Sequence, residues 1–205
     1  MAINARPIYL ASRSPRRREL LRQIGLRHQV LLLRESPGRP ADVDESAHPG
    51  EAPAAYVERV AYAKCRAGAH AVAARRLPQQ LVLAADTSID LDGEILCKPE
   101  LPAAAARMLE RLSGREHQVV TALAAQLGER AECVTIVSRV SFRRLTAAEI
   151  EAYANSGEPL DKAGGYAIQG RGAIFIDHLA GSYSGVVGLP LCETVQLLQR
   201  FGVPA

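Results

Sequence analysis

The sequence predicts an α/β fold in which helices flank a mixed, twisted sheet and two lobes enclose a cleft. Helical and strand patterns alternate along the 205 residues, as they do in proteins whose helices cover a partly parallel sheet. Asp92-Gly93 separates two alternating segments and is a strong hairpin signal, so at least one strand pair is antiparallel. The chain contains no internal repeat or low-complexity linker. We therefore expect a single domain over residues 1–205.

The first quarter of the chain predicts a strand, a helix and a loop in that order. Residues 8–11 form a short apolar run that is typical of a buried strand. A helix follows, because Ser14 is a favourable N-cap, Pro15 suits the first helical position and Gly25 ends the apolar stripe. Residues 34–53 are rich in proline, glycine and acids, which favours a polar loop.

The rest of the chain continues the alternation. A long helix opens at Pro53, and a buried strand over 81–85 precedes the hairpin of 88–97. Thr146 and Glu149 form a capping box that starts a later helix. The remaining predicted elements are a helix over 103–112, strands over 119–127 and 134–142, a glycine-rich segment over 161–172, a hairpin through 180–181 and a closing helix over 192–201.

Composition excludes several classes of function. The chain has no tryptophan and 4% aromatic residues, so it offers few platforms on which single-stranded bases could stack. A net charge of +3 is too small to predict a nucleic-acid or membrane surface. The four cysteines are dispersed without a C-x-x-C pair, which disfavours a zinc site or a disulfide framework. With no apolar leader and no long apolar run, we expect a cytoplasmic protein without nucleic-acid or membrane partners.

The distribution of basic residues points to an anionic ligand. All but three of the 25 basic residues are arginine, and the lysines are Lys64, Lys98 and Lys162. A lysine is a compact, strongly hydrated point charge that arginine does not replace at every site. Lys64 lies on the apolar stripe of the long helix and should point inward. The alternative is that its stem is buried while the ammonium group reaches solvent.

The start of the first helix breaks a rule of helix stability. Residues 16–18 are all arginine, although the positive end of the helix dipole disfavours cations by about 0.3–1 kcal/mol each. Such a conflict is expected where a ligand compensates for it. Backbone amides, the hydroxyls of Ser12 and Ser14 and the arginine side chains are suitable groups for binding phosphate. The alternative is a solvated surface cluster.

A second candidate is Asp86-Thr87, directly after the predicted strand of 81–85. A two-residue turn at Asp92-Gly93 would place Thr87 opposite Lys98, with Asp86 beside that lysine. A carboxylate there could orient a water molecule or bind a divalent cation while the ammonium group holds phosphate oxygens. The alternative is a structural ion pair.

The third candidate is the segment 161–170. Its small residues let backbone amides approach an anion, and Lys162 adds positive charge. The Gln169 amide has both a donor and an acceptor, as reading the edge of a base requires. The segment matches neither the P-loop nor the G-x-G-x-x-G pattern.

Taken together and in this order, the segments resemble the Maf family of nucleoside triphosphate pyrophosphatases, and the match covers almost the whole chain. Asp86-Thr87 with Ile168-Gln169-Gly170 is similar to the branch of the family that acts on dTTP and UTP. The segments that carry the resemblance are 10–17 (LASRSPRR), 61–64 (AYAK), 85–87 (ADT), 98–99 (KP), 112–119 (LSGREHQV), 161–164 (DKAG), 168–170 (IQG) and 187–190 (VGLP).

The resemblance implies an inosine triphosphatase-like fold with a nucleotide-binding cleft, a homodimer, and hydrolysis of a triphosphate to a monophosphate and pyrophosphate. It implies that Asp86 is the proton acceptor and, with Glu45, binds a divalent cation, Mg²⁺ or Mn²⁺. Arg16, Thr87 and Gln169 would select the base. The implied phosphate contacts are Ser12, Arg17, Lys64, Lys98 and Lys162, with Ser14 beside them.

Two positions depart from the family pattern. Arg13 stands where a small residue is expected, and Ser184-Gly185 precedes Val186 where many members carry asparagine. Two other functions stay open at this point. One is the same reaction on 7-methyl-GTP or another base, and the other is a nucleotide-sensing regulator of septum formation.

Overall fold

The computed structural model describes residues 7–34 and 41–204, and it contains a seven-stranded mixed sheet of order β2-β1-β3-β5-β6-β7, with β4 also paired to β3. The strands are β1 (Ile8–Leu10), β2 (His28–Val30), β3 (Val82–Leu91), β4 (Glu94–Leu96), β5 (Glu116–Leu127), β6 (Arg130–Phe142) and β7 (Ile176–Ala180). The helices are α1 (Pro15–Gln23), α2 (Pro53–Ala74), α3 (Pro102–Leu112), α4 (Ala147–Ala154), α5 (Tyr183–Val187) and α6 (Leu191–Arg200), with 3₁₀ turns at Ala163–Gly165 and Arg171–Phe175.

The sheet combines parallel and antiparallel pairing. β1 runs parallel to both β2 and β3, whereas β3, β5, β6 and β7 are antiparallel neighbours, as are β3 and β4. The predicted mixed sheet with flanking helices is therefore confirmed. None of the helices in the described part of the chain is long and apolar enough to cross a membrane.

Three hydrophobic clusters divide the molecule into two lobes. In the first lobe α2 packs on one face of the sheet, around Val60 and Ala84. Helices α1 and α6 pack on the opposite face, around Leu83 and Leu197. The second lobe surrounds the other end of β3 and β5, where α3 and α4 contribute to a cluster that includes Phe142.

One edge of β3 changes partner between the lobes. β1 pairs with β3 as far as Leu10 opposite Leu83. β4 pairs with it from Ile89 opposite Leu96 onward. Among the described residues, no strand pairs with this edge of β3 between Leu83 and Ile89. This interruption opens the sheet at Asp86 and Thr87.

Two of the predicted elements are wrong, and one strand was missed. Residues 82–91 form one continuous strand rather than two. The segment after Gly181 is not a hairpin strand, because the Ser182 hydroxyl accepts the Gly185 N–H at 3.0 Å and caps α5. Strand β2 is too short to show an alternating pattern. The Thr146 capping box is confirmed. The described residues do not include residues 1–6 and 205. They also do not include residues 35–40, which belong to the predicted polar loop.

Candidate active site

A cleft of about 580 Å³ occupies the opening beside β3, between the two lobes. All eleven predicted site residues line it, so the structure brings together side chains that are up to 157 positions apart in sequence. These residues are Ser12, Ser14, Arg16, Arg17, Glu45, Lys64, Asp86, Thr87, Lys98, Lys162 and Gln169.

The Lys64 ammonium group joins two carboxylates on the α2 side of the cleft. Its Nζ lies 2.9 Å from Asp86 Oδ1 and 2.8 Å from Glu45 Oε2. The Lys64 side chain is 13% exposed and that of Asp86 is 10% exposed, so the prediction that Lys64 points inward is confirmed. Because both ions are largely removed from solvent, the Coulomb attraction between them is stronger than in a surface ion pair.

The predicted position of Asp86 and the predicted register of Thr87 opposite Lys98 are wrong. Asp86 lies in the middle of β3, not at a strand end, and its ion-pair partner is Lys64. The predicted register holds only from Leu91 back to Ile89, where the β3–β4 ladder stops. Beyond that point the chain leaves the sheet, and Lys98 lines the cleft with an exposed side chain.

The chemistry of Glu45 and Asp86 suits a divalent cation only together with a bound substrate. The described residues contain no cluster of three or more histidine, cysteine, aspartate or glutamate side chains that could hold a metal. Mg²⁺, however, is commonly held by one or two carboxylates plus the oxygens of a substrate phosphate. Two carboxylates that meet on one ammonium group fit that mode of binding.

Arg17 is fixed by three different acceptors on the opposite side of β3. Its Nε donates to the Gly188 carbonyl at 2.8 Å, and its two terminal nitrogens donate to Ser12 Oγ at 3.4 Å and Thr87 Oγ1 at 3.3 Å. Burial lowers the pKa of Arg17, and the nearby Asp86 charge partly offsets this. A solvated surface cluster is thus excluded for Arg17.

Serine hydroxyls organise the turn that precedes α1. Ser12 Oγ accepts the Ser14 N–H at 3.2 Å, and Ser14 Oγ accepts the Arg17 N–H at 3.4 Å as the helix cap. Arg13, the departure from the family pattern, donates to the Leu33 carbonyl at 2.8 Å. The turn therefore holds the arginine-rich start of α1 at the wall of the cleft.

The glycine-rich segment closes the cleft from the second lobe. Gly164 has φ 68° and packs so closely that a Cβ there would lie 2.6 Å from Ile89 Cγ1. Lys162 and Gln169 flank this contact and line the cleft. Burial lowers the pKa of Lys162, and the Arg16 charge lowers it further. Burial also lowers the pKa of Arg16, which the nearby Asp161 charge partly offsets. Both cations have lost hydration that a bound anion would replace.

Several contributors to the cleft were given no individual role in the prediction. Asp161 lines it in a left-handed conformation, with φ 65°. The Gly188 carbonyl orients Arg17, and Thr121 lies behind Thr87 with Oγ1 to Oγ1 at 3.0 Å. The last two carry no sequence signal of their own, since a carbonyl oxygen is present in every residue and threonine is common in strands.

A family model described as Maf-like protein matches residues 7–201. The chain belongs to the Maf family. The resemblance inferred from the eight segments is therefore confirmed, while the individual roles of the site residues stay predictions.

Relatives of the Maf family match over nearly full length. A protein of Aromatoleum aromaticum named dTTP/UTP pyrophosphatase is 53% identical over 198 residues, which cover 96% of each chain. A protein of Nitrosomonas europaea with the same name is 54% identical over 196 residues, covering 96% of this chain and 95% of the relative. Among solved structures, the Staphylococcus aureus Ham1 protein is 19% identical, with a TM-score of 0.46 over 67% of this chain and 72% of that one. That likeness is too distant to bear on the fold.

Proposed function

We propose that the protein hydrolyses dTTP and UTP between the α and β phosphates, giving the monophosphate and pyrophosphate. The observation that carries the proposal is the convergence of three lysines and four arginines on a cleft that contains one largely buried aspartate. The charge of these groups suits a polyphosphate. Relatives of about half identity that bear the name dTTP/UTP pyrophosphatase support the choice of substrate.

In the proposed reaction, Asp86 accepts a proton from the water that adds across the anhydride bond. Lys64 holds the carboxylate in place at 2.9 Å. Lys98, Lys162 and Arg17 neutralise the charge that develops on the phosphate oxygens and on the departing pyrophosphate. A Mg²⁺ or Mn²⁺ ion held by Glu45, Asp86 and the substrate oxygens would add further charge neutralisation there.

Base selection is proposed for Arg16, Thr87 and Gln169. The Thr87 hydroxyl and the Gln169 amide offer neutral hydrogen-bonding groups at a cleft otherwise dominated by cations. Neutral groups distinguish bases by the positions of donors and acceptors, whereas the lysines and Arg17 act on phosphates that all nucleotides share. We also propose a cytoplasmic homodimer that binds neither nucleic acid nor membrane.

The experiment is pyrophosphate release from dTTP, UTP, CTP, GTP and 7-methyl-GTP, with and without Mg²⁺ or Mn²⁺. We expect dTTP and UTP to be the fastest substrates, with turnover dependent on the metal. The isosteric D86N variant should lose at least 100-fold in kcat while still binding a non-hydrolysable dTTP analogue in calorimetry. D92N, on the exposed turn of the same hairpin, is the matched control.

Other outcomes would favour the alternatives. Fastest turnover of 7-methyl-GTP would place the protein in the other substrate branch, and tight nucleotide binding without product would favour a sensor. An absence of turnover with every triphosphate would overturn the proposal.

A further inference from the structure

Arg18 is the arginine at the start of α1 that the cleft does not explain. Arg16 and Arg17 line the cleft, whereas Arg18 does not. It lines instead a groove of about 560 Å³ beside α1 and β2. The Arg18 Nε atom is buried and has no hydrogen-bond partner among the described residues. The protein therefore does not itself satisfy this guanidinium group, although the positive end of the helix dipole disfavours a cation there.

Two further arginines line the same groove. Arg22 lies one turn later on α1, and Arg27 lies in the turn before β2. None of the described residues that line the groove is acidic. Arg22 forms an exposed ion pair with Glu19 at 2.8 Å, and such pairs neutralise charge only weakly. Within the described part of the chain, neither Arg18 nor Arg27 has an ion-pair partner. The groove thus collects three guanidinium groups that the protein hardly neutralises.

The donors of the groove favour a compact anion with several oxygens. A guanidinium group binds phosphate oxygens through two parallel N–H donors. The residues of β2, the edge strand of the sheet, also line the groove, and alternate N–H groups of an edge strand have no partner within the sheet. An acidic peptide that added a strand here would gain few backbone hydrogen bonds, because β2 has only three residues. A chain of phosphate groups, by contrast, can contact more than one arginine at once.

We propose that the groove of Arg18, Arg22 and Arg27 is a second anion site that binds a condensed phosphate, either free pyrophosphate or the phosphate tail of a nucleotide. No described residue lines both the groove and the cleft, so the two can be occupied together. The inference does not rest on the proposed function. It accounts for the third arginine of residues 16–18, since an anion at Arg18 offsets the unfavourable interaction of that cation with the helix dipole.

The test is calorimetry with pyrophosphate, without added divalent metal so that it binds as the free anion. R22Q/R27Q removes two charged donors from exposed positions, so we expect the variant to stay folded and the groove site to weaken roughly tenfold or more. R66Q/R107Q is the matched control. It removes the same charge from exposed positions on α2 and α3 and should leave the affinity unchanged.

A cleft variant separates the two sites. K98Q/K162Q changes residues that line only the cleft, so the site that R22Q/R27Q weakens should persist in it. A non-hydrolysable dTTP analogue distinguishes the sources of the ligand: a site for the analogue that R22Q/R27Q weakens shows that the groove accepts a nucleotide tail, and its absence restricts the groove to free pyrophosphate. The inference is overturned if pyrophosphate does not bind, if R22Q/R27Q binds it as the wild type does, or if R22Q/R27Q and R66Q/R107Q weaken binding equally.

Discussion

At Gly68, α2 packs closely against the sheet, and enlarging this residue should displace Lys64. A Cβ at this position would lie 2.8 Å from Val82 Cγ1 and 3.0 Å from Ala11 Cβ. Carbon atoms in contact prefer separations of about 3.5–4.0 Å, so G68A is too close by roughly 0.5 to 1 Å. Ala11 and Val82 are buried beside paired strands and have little room to retreat. The helix must therefore move outward.

Lys64 lies one helical turn before Gly68, on the same face of α2. An outward shift of this size stretches the contacts of 2.8 and 2.9 Å that its ammonium group makes with Glu45 and Asp86. A misplacement of 1 Å at a catalytic group can cost about 100-fold in rate. The effect on stability is smaller, because overpacking costs about 1–3 kcal/mol while replacing a helical glycine gains about 1 kcal/mol.

We therefore expect G68A to lose at least tenfold in kcat while its free energy of unfolding falls by no more than about 2 kcal/mol. Urea unfolding and pyrophosphate release at a temperature where the variant is fully folded measure the two effects. A73G, on the exposed face of the last turn of α2, is the control: it should lower stability by less than about 1 kcal/mol through helix propensity alone and leave kcat unchanged. A G68A variant that is less stable but as active as the wild type would contradict this expectation and show that the flexible stem of Lys64 follows Asp86.

Two further predictions concern the second lobe. His117 is 3% exposed, and burial lowers its pKa to about 4. In the unfolded chain the same side chain binds its proton near pH 6.5. The free energy of unfolding should therefore fall by about 3 kcal/mol as the pH is lowered from about 6.5 to 4. Urea unfolding across this range should show a flatter profile for H117Q, and an unchanged profile would contradict the assignment. Glu158 accepts the backbone N–H groups of Arg171 and Gly172 at 3.1 and 3.2 Å and the Tyr153 hydroxyl at 2.9 Å. In E158Q, the amide NH₂ of glutamine faces these donors and cannot accept from them. The substitution should therefore loosen the glycine-rich segment and raise KM for dTTP severalfold. An unchanged KM would show that the segment is held by its packing alone.

Much of the site could be predicted because its signals are local or follow a helical period. Lys64 falls on the apolar stripe of α2, and a period of 3.6 residues is enough to direct it inward. The arginines of residues 16–18 conflict with the helix dipole within one turn, so the conflict is visible without knowledge of the fold. Segment 161–170 is marked by its small residues and by Lys162.

The partner of Asp86 could not be predicted in the same way. The register of a hairpin predicts which residues lie opposite each other only as far as the two strands stay paired. The pairing of β3 with β4 ends at Ile89. The contact with Lys64 depends on how α2 packs against β3, and therefore on side-chain volumes such as the missing Cβ of Gly68. Glu45 reaches the same ammonium group from a loop. The sequence pattern does not specify the path of a loop.

The interrupted edge of β3 explains how one strand can supply both the proposed proton acceptor and a residue proposed to select the base. Successive strand residues point to opposite faces, so Asp86 faces α2, as does Ala84, while Thr87 faces α1, as does Leu83. In a fully paired sheet the two side chains would lie in separate compartments. Because no described strand pairs with this edge between Leu83 and Ile89, the cleft reaches both faces around the open edge. A nucleotide bound there can therefore contact Asp86 on the α2 side of the sheet and Thr87 on the α1 side.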